Sequence, residues 1–179
     1  YLMRMALKQE PEPIARREIV DGKNIVVLKF ESFYSDVSSD VKEALAEEAK
    51  KGRIDGVLLD LRGNGGGYVS EAVAVVGLFI KTGAVVGVKN NGDEDEVASD
   101  FSRYVAYDGP LMVAIDEFTA SAAEITAGTL ADYARAVIVG SKASFGKGTT
   151  QITLSSPEVK VFLPRGLFKV TSGMYFTAS

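Results

Sequence analysis

Residues 54–68 read I-D-G-V-L-L-D-L-R-G-N-G-G-G-Y, and an almost wholly apolar stretch continues them to Ile80. Ile54 to Leu61 is short and aliphatic, the signature of a buried strand. The glycine cluster breaks regular structure, and Tyr68 to Ile80 has the length and composition of an apolar helix. The same order recurs: Leu111 to Ile115 reads as a strand, Asp116 to Ala120 as a turn, and Ser121 to Tyr133 as an alanine-rich helix. Repeated strand-turn-helix units specify an α/β layer, a sheet covered by helices and joined by right-handed crossovers. Both turns can then open at one edge of the sheet. Each would present unpaired backbone N–H groups and the positive end of a helix dipole, a setting suited to a developing oxyanion.

Outward from these units, Ile25 to Phe30 is a β-branched strand. Asp36 to Lys51 is a helix whose apolar positions Val37, Val41, Ala44, Leu45 and Ala49 follow helical spacing, with Ser35 or Asp36 as its cap. Ala84 to Lys89 is a further strand. The acidic N-N-G-D-E-D-E and the polar stretch to Pro110 read as a solvated surface excursion. Ala136 to Gly140 is a strand, followed after the loop S-K-A-S-F-G by strands near Thr149–Leu154, Val159–Leu163 and Leu167–Thr171. The first 20 or so residues, with two prolines and mixed charge, read as a linker, so the folded unit is expected to begin near Asn24.

At 179 residues and 46% hydrophobic composition, the chain suits one domain with a substantial core. A formal charge of −4 and the lack of a basic stripe argue against nucleic acid as a partner. The longest nearly apolar run, Ala72 to Ile80, is far short of the roughly 20 residues a membrane helix needs. The chain has no cysteine, which excludes disulfides and thiolate metal sites, and no histidine.

The missing imidazole narrows nucleophilic chemistry. Ser121 in T-A-S-A-A-E and Lys147 in F-G-K-G-T-T-Q stand 26 residues apart. A serine needs a neighbouring base, and without histidine an efficient candidate is a desolvated lysine amine. Local rules also allow plainer readings. S-A-A-E is a capping box, in which Ser121 caps a helix and Glu124 reaches back, and Lys147 could be a surface lysine in a turn. The two roles of Ser121 are compatible, because a nucleophile at a helix N-terminus sits beside the N–H of Ala122.

Two glycine motifs resemble nucleotide loops and fail on inspection. The G-x-G-x-x-G template starting at Gly63 meets Tyr68 where its third glycine belongs. Between Gly140 and Gly146 lie five residues rather than the four of a P-loop, and Gly148 replaces the required Ser or Thr. Gly65, Gly66 and Gly67 can form either an oxyanion or peptide-docking turn, or simply a tight turn before a helix. Strand alternation places Lys147, Thr149 and Gln151 on one face, but straight extension separates Lys147 from Gln151 by about 13 Å, so contact requires a bend, for which Gly148 is suited. Asp132 and Arg135, three apart at a helix end, read as an ion pair.

Taken together, I-D-G-V-L-L-D-L-R-G-N-G-G-G, Y-D-G-P-L-M-V-A-I-D, T-A-S-A-A-E-I-T-A-G-T-L-A-D-Y-A-R-A and S-F-G-K-G-T-T-Q resemble the C-terminal processing peptidases, most closely the bacterial tail-specific proteases. The resemblance runs in order from about Asn24 to the C-terminus. It implies a ClpP/crotonase-like layered core with additional C-terminal strands, and a serine endopeptidase acting on polypeptides with accessible C-termini. It implies Ser121 as nucleophile, Lys147 as general base and Gln151 as the group orienting the lysine. Gly66 or Gly67 and Ala122 would supply oxyanion N–H groups, with Asp132, Glu124 and Ser144 in support. No metal or cofactor is required. Residues 1–23 would be a linker or the end of a preceding PDZ-type module, residues 24–179 the peptidase core, expected to continue past Ser179. An adaptor or self-association would act through domains outside the chain, and the compartment would be the bacterial periplasm or the cell-envelope exterior. This chain departs from the family in one place: its loop G-S-K-A-S-F-G-K is one residue longer than the resemblance implies. Two rival readings stay open, a non-enzymatic peptide- or ligand-binding module on the same fold and a crotonase-type enzyme acting on acyl-CoA thioesters.

Overall fold

A D-G dipeptide opens the architecture. Asp21 and Gly22 both hold positive φ, 49° and 75°, the backbone a two-residue hairpin turn needs to match strand twist. The turn joins strand β1 (Ala15–Val20) to β2 (Lys23–Lys29), paired antiparallel from Val20↔Lys23 to Ala15↔Leu28. The computed structural model describes residues 14–90, 95–154 and 168–177. Ordered sheet thus begins inside the stretch read as a linker. Composition misled there: the prolines end at Pro13, and A-R-R-E-I-V forms an edge strand with little burial, so it carries no apolar alternation.

The first sheet has the order β1-β2-β3-β6-β7, with β3 at Gly56–Asp60, β6 at Leu111–Ile115 and β7 at Val137–Gly140. All pairings after the first are parallel. The helices are α1 (Val37–Lys50), α2 (Val69–Gly77) and α3 (Ala122–Asp132). Alternate strand residues Val26, Leu28, Val57, Leu59, Leu111 and Val113 share one buried cluster with Val41 and Leu45 of α1, Val75 and Val76 of α2, and Ile125 and Leu130 of α3. That shared core fixes the starts of α2 and α3 beside each other, at the ends of adjacent strands β3 and β6.

The second sheet is antiparallel, in the order β5-β4-β9-β8, with β4 at Gly83–Asn90, β5 at Glu96–Asp100, β8 at Thr149–Leu154 and β9 at Phe168–Phe176. Strand β5 falls in the segment read as a surface excursion. E-V-A-S-D carries weak strand propensity, and its pairing with β4 supplies the order. The expected strand at Val159–Leu163 lies outside the described residues. Among the described residues no helix is long and apolar enough to cross a membrane.

Two side-chain expectations are corrected. Asp36 occupies the N-cap of α1 with φ 70° and makes no side-chain cap. Instead Glu71 of α2 accepts the N–H groups of Asp36 and Ser38, each at 3.0 Å, which ties the two helix starts together. Arg135 does not pair with Asp132; it donates to the carbonyls of Phe79 and Tyr107, both at 2.8 Å. Free carbonyls at the ends of neighbouring segments outcompete an exposed carboxylate.

Edge strand β1 is held by a buried charge. Arg17 donates through Nε to Glu48 Oε2 at 3.0 Å and reaches the carbonyls of Glu48 and Arg53, while Lys51 meets Glu48 Oε1 at 2.6 Å. Glu48 is 4% exposed. Hydrogen bonding from Lys51, joined by Arg17, holds its carboxyl below the usual range against the opposing effect of burial. A depressed carboxyl adds stability above the unfolded-state pKa and loses it as pH falls through the folded value. Arg17→Ala should therefore cost roughly 1.5–3 kcal/mol at neutral pH, since Lys51 still pairs with Glu48, and flatten the acid-side fall in stability. Urea melts between neutral and acidic pH read both; a loss under about 0.5 kcal/mol would show that the pair does not hold β1.

Candidate active site

The site begins where β3 ends. Asp60 is buried and takes both Nε and Nη2 of Arg62 at 2.7 Å, and these bonds, ahead of its burial, hold its carboxyl below the usual range. The chain then turns through the glycine cluster around the buried side chain of Asn64. Its amide donates to Phe30 O at 2.8 Å and its oxygen accepts the Gly66 N–H at 2.9 Å. Gly67 forms an isolated parallel bridge to Phe33: Phe33 N–H donates to Gly66 O at 2.9 Å and Tyr68 N–H to Phe33 O at 2.8 Å.

The second strand-to-helix turn is stitched onto the first. Asp116 Oδ1 accepts the N–H groups of Gly63, Phe118 and Thr119, each at 3.0 Å. Burial alone would raise its carboxyl, but these donors lower it. The Thr119 hydroxyl meets Leu61 O at 2.9 Å, and Ala120 N–H donates to Asn64 O at 2.9 Å. The approach is so close that Gly66, at φ 93°, has no room for a side chain. A Cβ there would stand 2.7 Å from Ala120 O and from Ser121 Cβ, and 2.9 Å from Ala122 N.

Ser121 sits at the N-cap of α3, as the capping-box spacing predicts, with φ 56° and ψ −120°. Such a backbone is costly for a residue with a side chain and persists only when its surroundings enforce it. Enforcement comes from Glu124. Its Oε2 accepts the N–H of Ser121 at 2.8 Å and of Lys147 at 2.9 Å; its Oε1 accepts Ser144 Oγ and the Gly146 N–H, both at 2.6 Å. One carboxylate thus joins the turn carrying the serine to the loop carrying the lysine. Phe145 N–H adds a bond to Thr119 O at 2.9 Å. From β9, the Tyr175 hydroxyl donates to Lys147 O and the Tyr175 N–H to Gly148 O at 2.9 Å. Burial, and then the negative charge of Glu124, pushes the Tyr175 hydroxyl well above the usual tyrosine range.

A cleft of about 460 Å³ opens here, lined by Gly65, Gly66, Gly67, Tyr68, Val69, Ser121, Lys147, Thr149, Thr150, Gln151 and Tyr175. It brings together Ser121, half-buried Lys147, Gln151 and the three glycines Gly65, Gly66 and Gly67, from segments far apart in sequence. The strand geometry differs from straight alternation: the β8–β9 register shifts between Thr150 and Gln151, which face Gly173 and Thr171. That irregularity lets Thr149, Thr150 and Gln151 all line the cleft. Among the described residues, the N–H groups of Gly67 and Ala122 donate to no protein acceptor, whereas the Gly66 N–H is engaged by Asn64. Glu124 and Ser144 are part of the clamp behind the cleft. Asp132 is exposed at the far end of α3, about 16 Å along the helix from Ser121 at 1.5 Å per residue, and does not line the cleft.

Four residues that matter to this geometry were not anticipated. Asn64 and Thr119 carry local signals, an Asx residue within G-N-G and a D-x-x-T turn. Asp116 shares the second signal. Tyr175 carries none, because its contact depends on sheet pairing across 28 residues. Among the described residues no three His, Cys, Asp or Glu side chains cluster as a metal site. A second groove of about 500 Å³ runs beside α1, where Lys42 lies over the Tyr104 ring at 4.6 Å, but it contains no nucleophile with a neighbouring base.

Several known proteins similar to this chain are proteases. The chain is 43% identical over 134 residues to the tail-specific protease of Haemophilus influenzae, covering 75% of this chain and 19% of that protein. It is 32% identical over 150 residues to the carboxy-terminal-processing protease of Bartonella bacilliformis, covering 83% and 33%. The chain therefore spans a third or less of these relatives. Among solved structures it is similar to a photosystem II D1 C-terminal processing protease, with a TM-score of 0.72 and 28% identity over 86% of this chain and 38% of that one. Residues 24–179 match the model of Peptidase family S41, and the chain belongs to that family.

Proposed function

We propose that the chain is the catalytic core of a serine endopeptidase that cleaves polypeptides recognised by their C-terminal tails. The observation that carries this reading is the Glu124 clamp, which fixes the backbones of Ser121 and Lys147 at one cleft whose other wall is the glycine turn. Lys147, in its neutral form, accepts the Ser121 hydroxyl proton as Oγ attacks the scissile carbonyl. The developing oxyanion is held by the N–H groups of Gly67 and Ala122. Gly66, whose own N–H is held by Asn64, contributes the close approach and not the donor. The amine leaves with the proton carried by Lys147, and water then hydrolyses the acyl-enzyme with Lys147 again as base. Gln151 orients the lysine from the cleft wall, while Glu124 and Ser144 position the loop.

The layered core is read as ClpP/crotonase-like. Recognition of the tail is assigned to a PDZ-type module, and the site of action to the bacterial periplasm or cell-envelope exterior, as the sequence resemblance implies. No step requires a metal or cofactor.

Ser121→Ala and Lys147→Ala should each lower cleavage of an unstructured peptide by about a thousandfold or more, with unchanged circular dichroism. A serine-reactive probe should label Ser121. Full hydrolysis by Lys147→Ala would remove the dyad, and an unlabelled, inactive wild-type chain would favour a binding module or a crotonase-type enzyme instead. Glu124→Ala should lower kcat more than it raises KM, and should speed amide exchange at Ser121, Gly146 and Lys147 by about tenfold. Unchanged exchange at those three amides would mean that the loop is held by other contacts.

A further inference from the structure

The cleft has two chemically distinct walls. On one side stand the polar Lys147, Thr149, Thr150 and Gln151, with Tyr175 of β9, whose hydroxyl is engaged by Lys147 O. On the other stand Tyr68 and Val69, which directly follow the last glycine of the turn. Tyr68 is 61% exposed, so its ring offers apolar surface within the cleft lining. Its position is fixed all the same: its N–H donates to Phe33 O at 2.8 Å, and Phe33 is a fully buried anchor packed edge-on against Phe30 at 5.1 Å. The ring is thus presented to the cleft from a rigid base, one residue beyond the Gly67 N–H.

We infer that Tyr68, backed by Val69, is the specificity wall of the substrate cleft and selects an apolar side chain next to the scissile bond. The inference rests on the peptidase reading for its register, since a carbonyl held at the Gly67 N–H brings the flanking residue of an extended peptide against the neighbouring side chain. A Phe or Leu there covers the exposed ring and removes apolar surface of both partners from water. A Ser there leaves the ring wet. The opposite wall offers hydroxyls, an amide and an amine, and so accepts the peptide backbone and polar side chains.

The test uses the full chain and two fluorogenic unstructured peptides that differ only in the residue beside the cleaved bond, Leu or Ser. Wild type should prefer the Leu peptide in kcat/KM by about tenfold or more, the scale on which apolar pockets discriminate. Tyr68→Ala should reduce that ratio towards one, and Tyr68→Phe should preserve it, which a merely structural role for the ring would not produce. The same peptides are titrated onto Ser121→Ala, with and without Tyr68→Ala, to read the affinity ratio without turnover. A ratio that collapses on Tyr68→Ala in binding supports the wall even where wild type hydrolyses neither peptide, an outcome that would overturn only the peptidase reading. A Leu/Ser ratio unchanged by Tyr68→Ala in both measurements overturns the wall.

Discussion

A single carboxylate sets the geometry on which the site depends. Glu124 lies in the first turn of α3 and receives four donors, one from the residue that caps its own helix and three from the loop 144–147. A carboxylate can accept several hydrogen bonds at once, and charge-assisted bonds are about twice as strong as neutral ones. No neutral side chain of that size could hold both segments. The clamp also balances a local cost, because the backbone of Ser121 occupies a region that costs on the order of 1–3 kcal/mol. Removing the carboxylate would release the strain and free the loop together.

Behind the clamp, the two strand-to-helix turns form one unit. Asp116 reaches the first turn from the second, Asn64 reaches back through its carbonyl, and Thr119 ties the second turn to the end of β3. All three are short polar side chains or backbone groups acting over one or two bonds, so the joint is stiff. The second sheet completes the enclosure through β8 and Tyr175. The cleft is therefore divided between two sheets: the serine and glycine turns belong to the parallel one, and the loop carrying Lys147 bridges from it to the antiparallel one.

Much of this was legible in the sequence. The parallel strands and the helices that follow them carry strong apolar patterns, and the absence of histidine directs attention to Ser121 and Lys147 before any fold is known. What escaped detection has physical causes. Strand β1 depends on turn chemistry at Asp21 and Gly22 and on a buried arginine contact, not on apolar alternation. Strand β5 depends on its partner's backbone. The irregular register at Thr150 and Gln151 is a property of pairing with β9, which no reading of β8 alone contains. Gly66 was a candidate donor by resemblance, yet its N–H is taken by a side chain two residues away. Asp132 was carried by resemblance alone, and the helix length sets it apart from the cleft.

The fit of Gly66 has a consequence for how descendants of such a chain are read. With Ala120 O and Ser121 Cβ within 2.7 Å of any added Cβ, packing forbids substitution there whether or not peptide bonds are cleaved. A copy that had lost its hydroxyl at position 121 would still be obliged to keep the glycine. Gly66 is consequently a record of architecture, and not of what happens in the cleft.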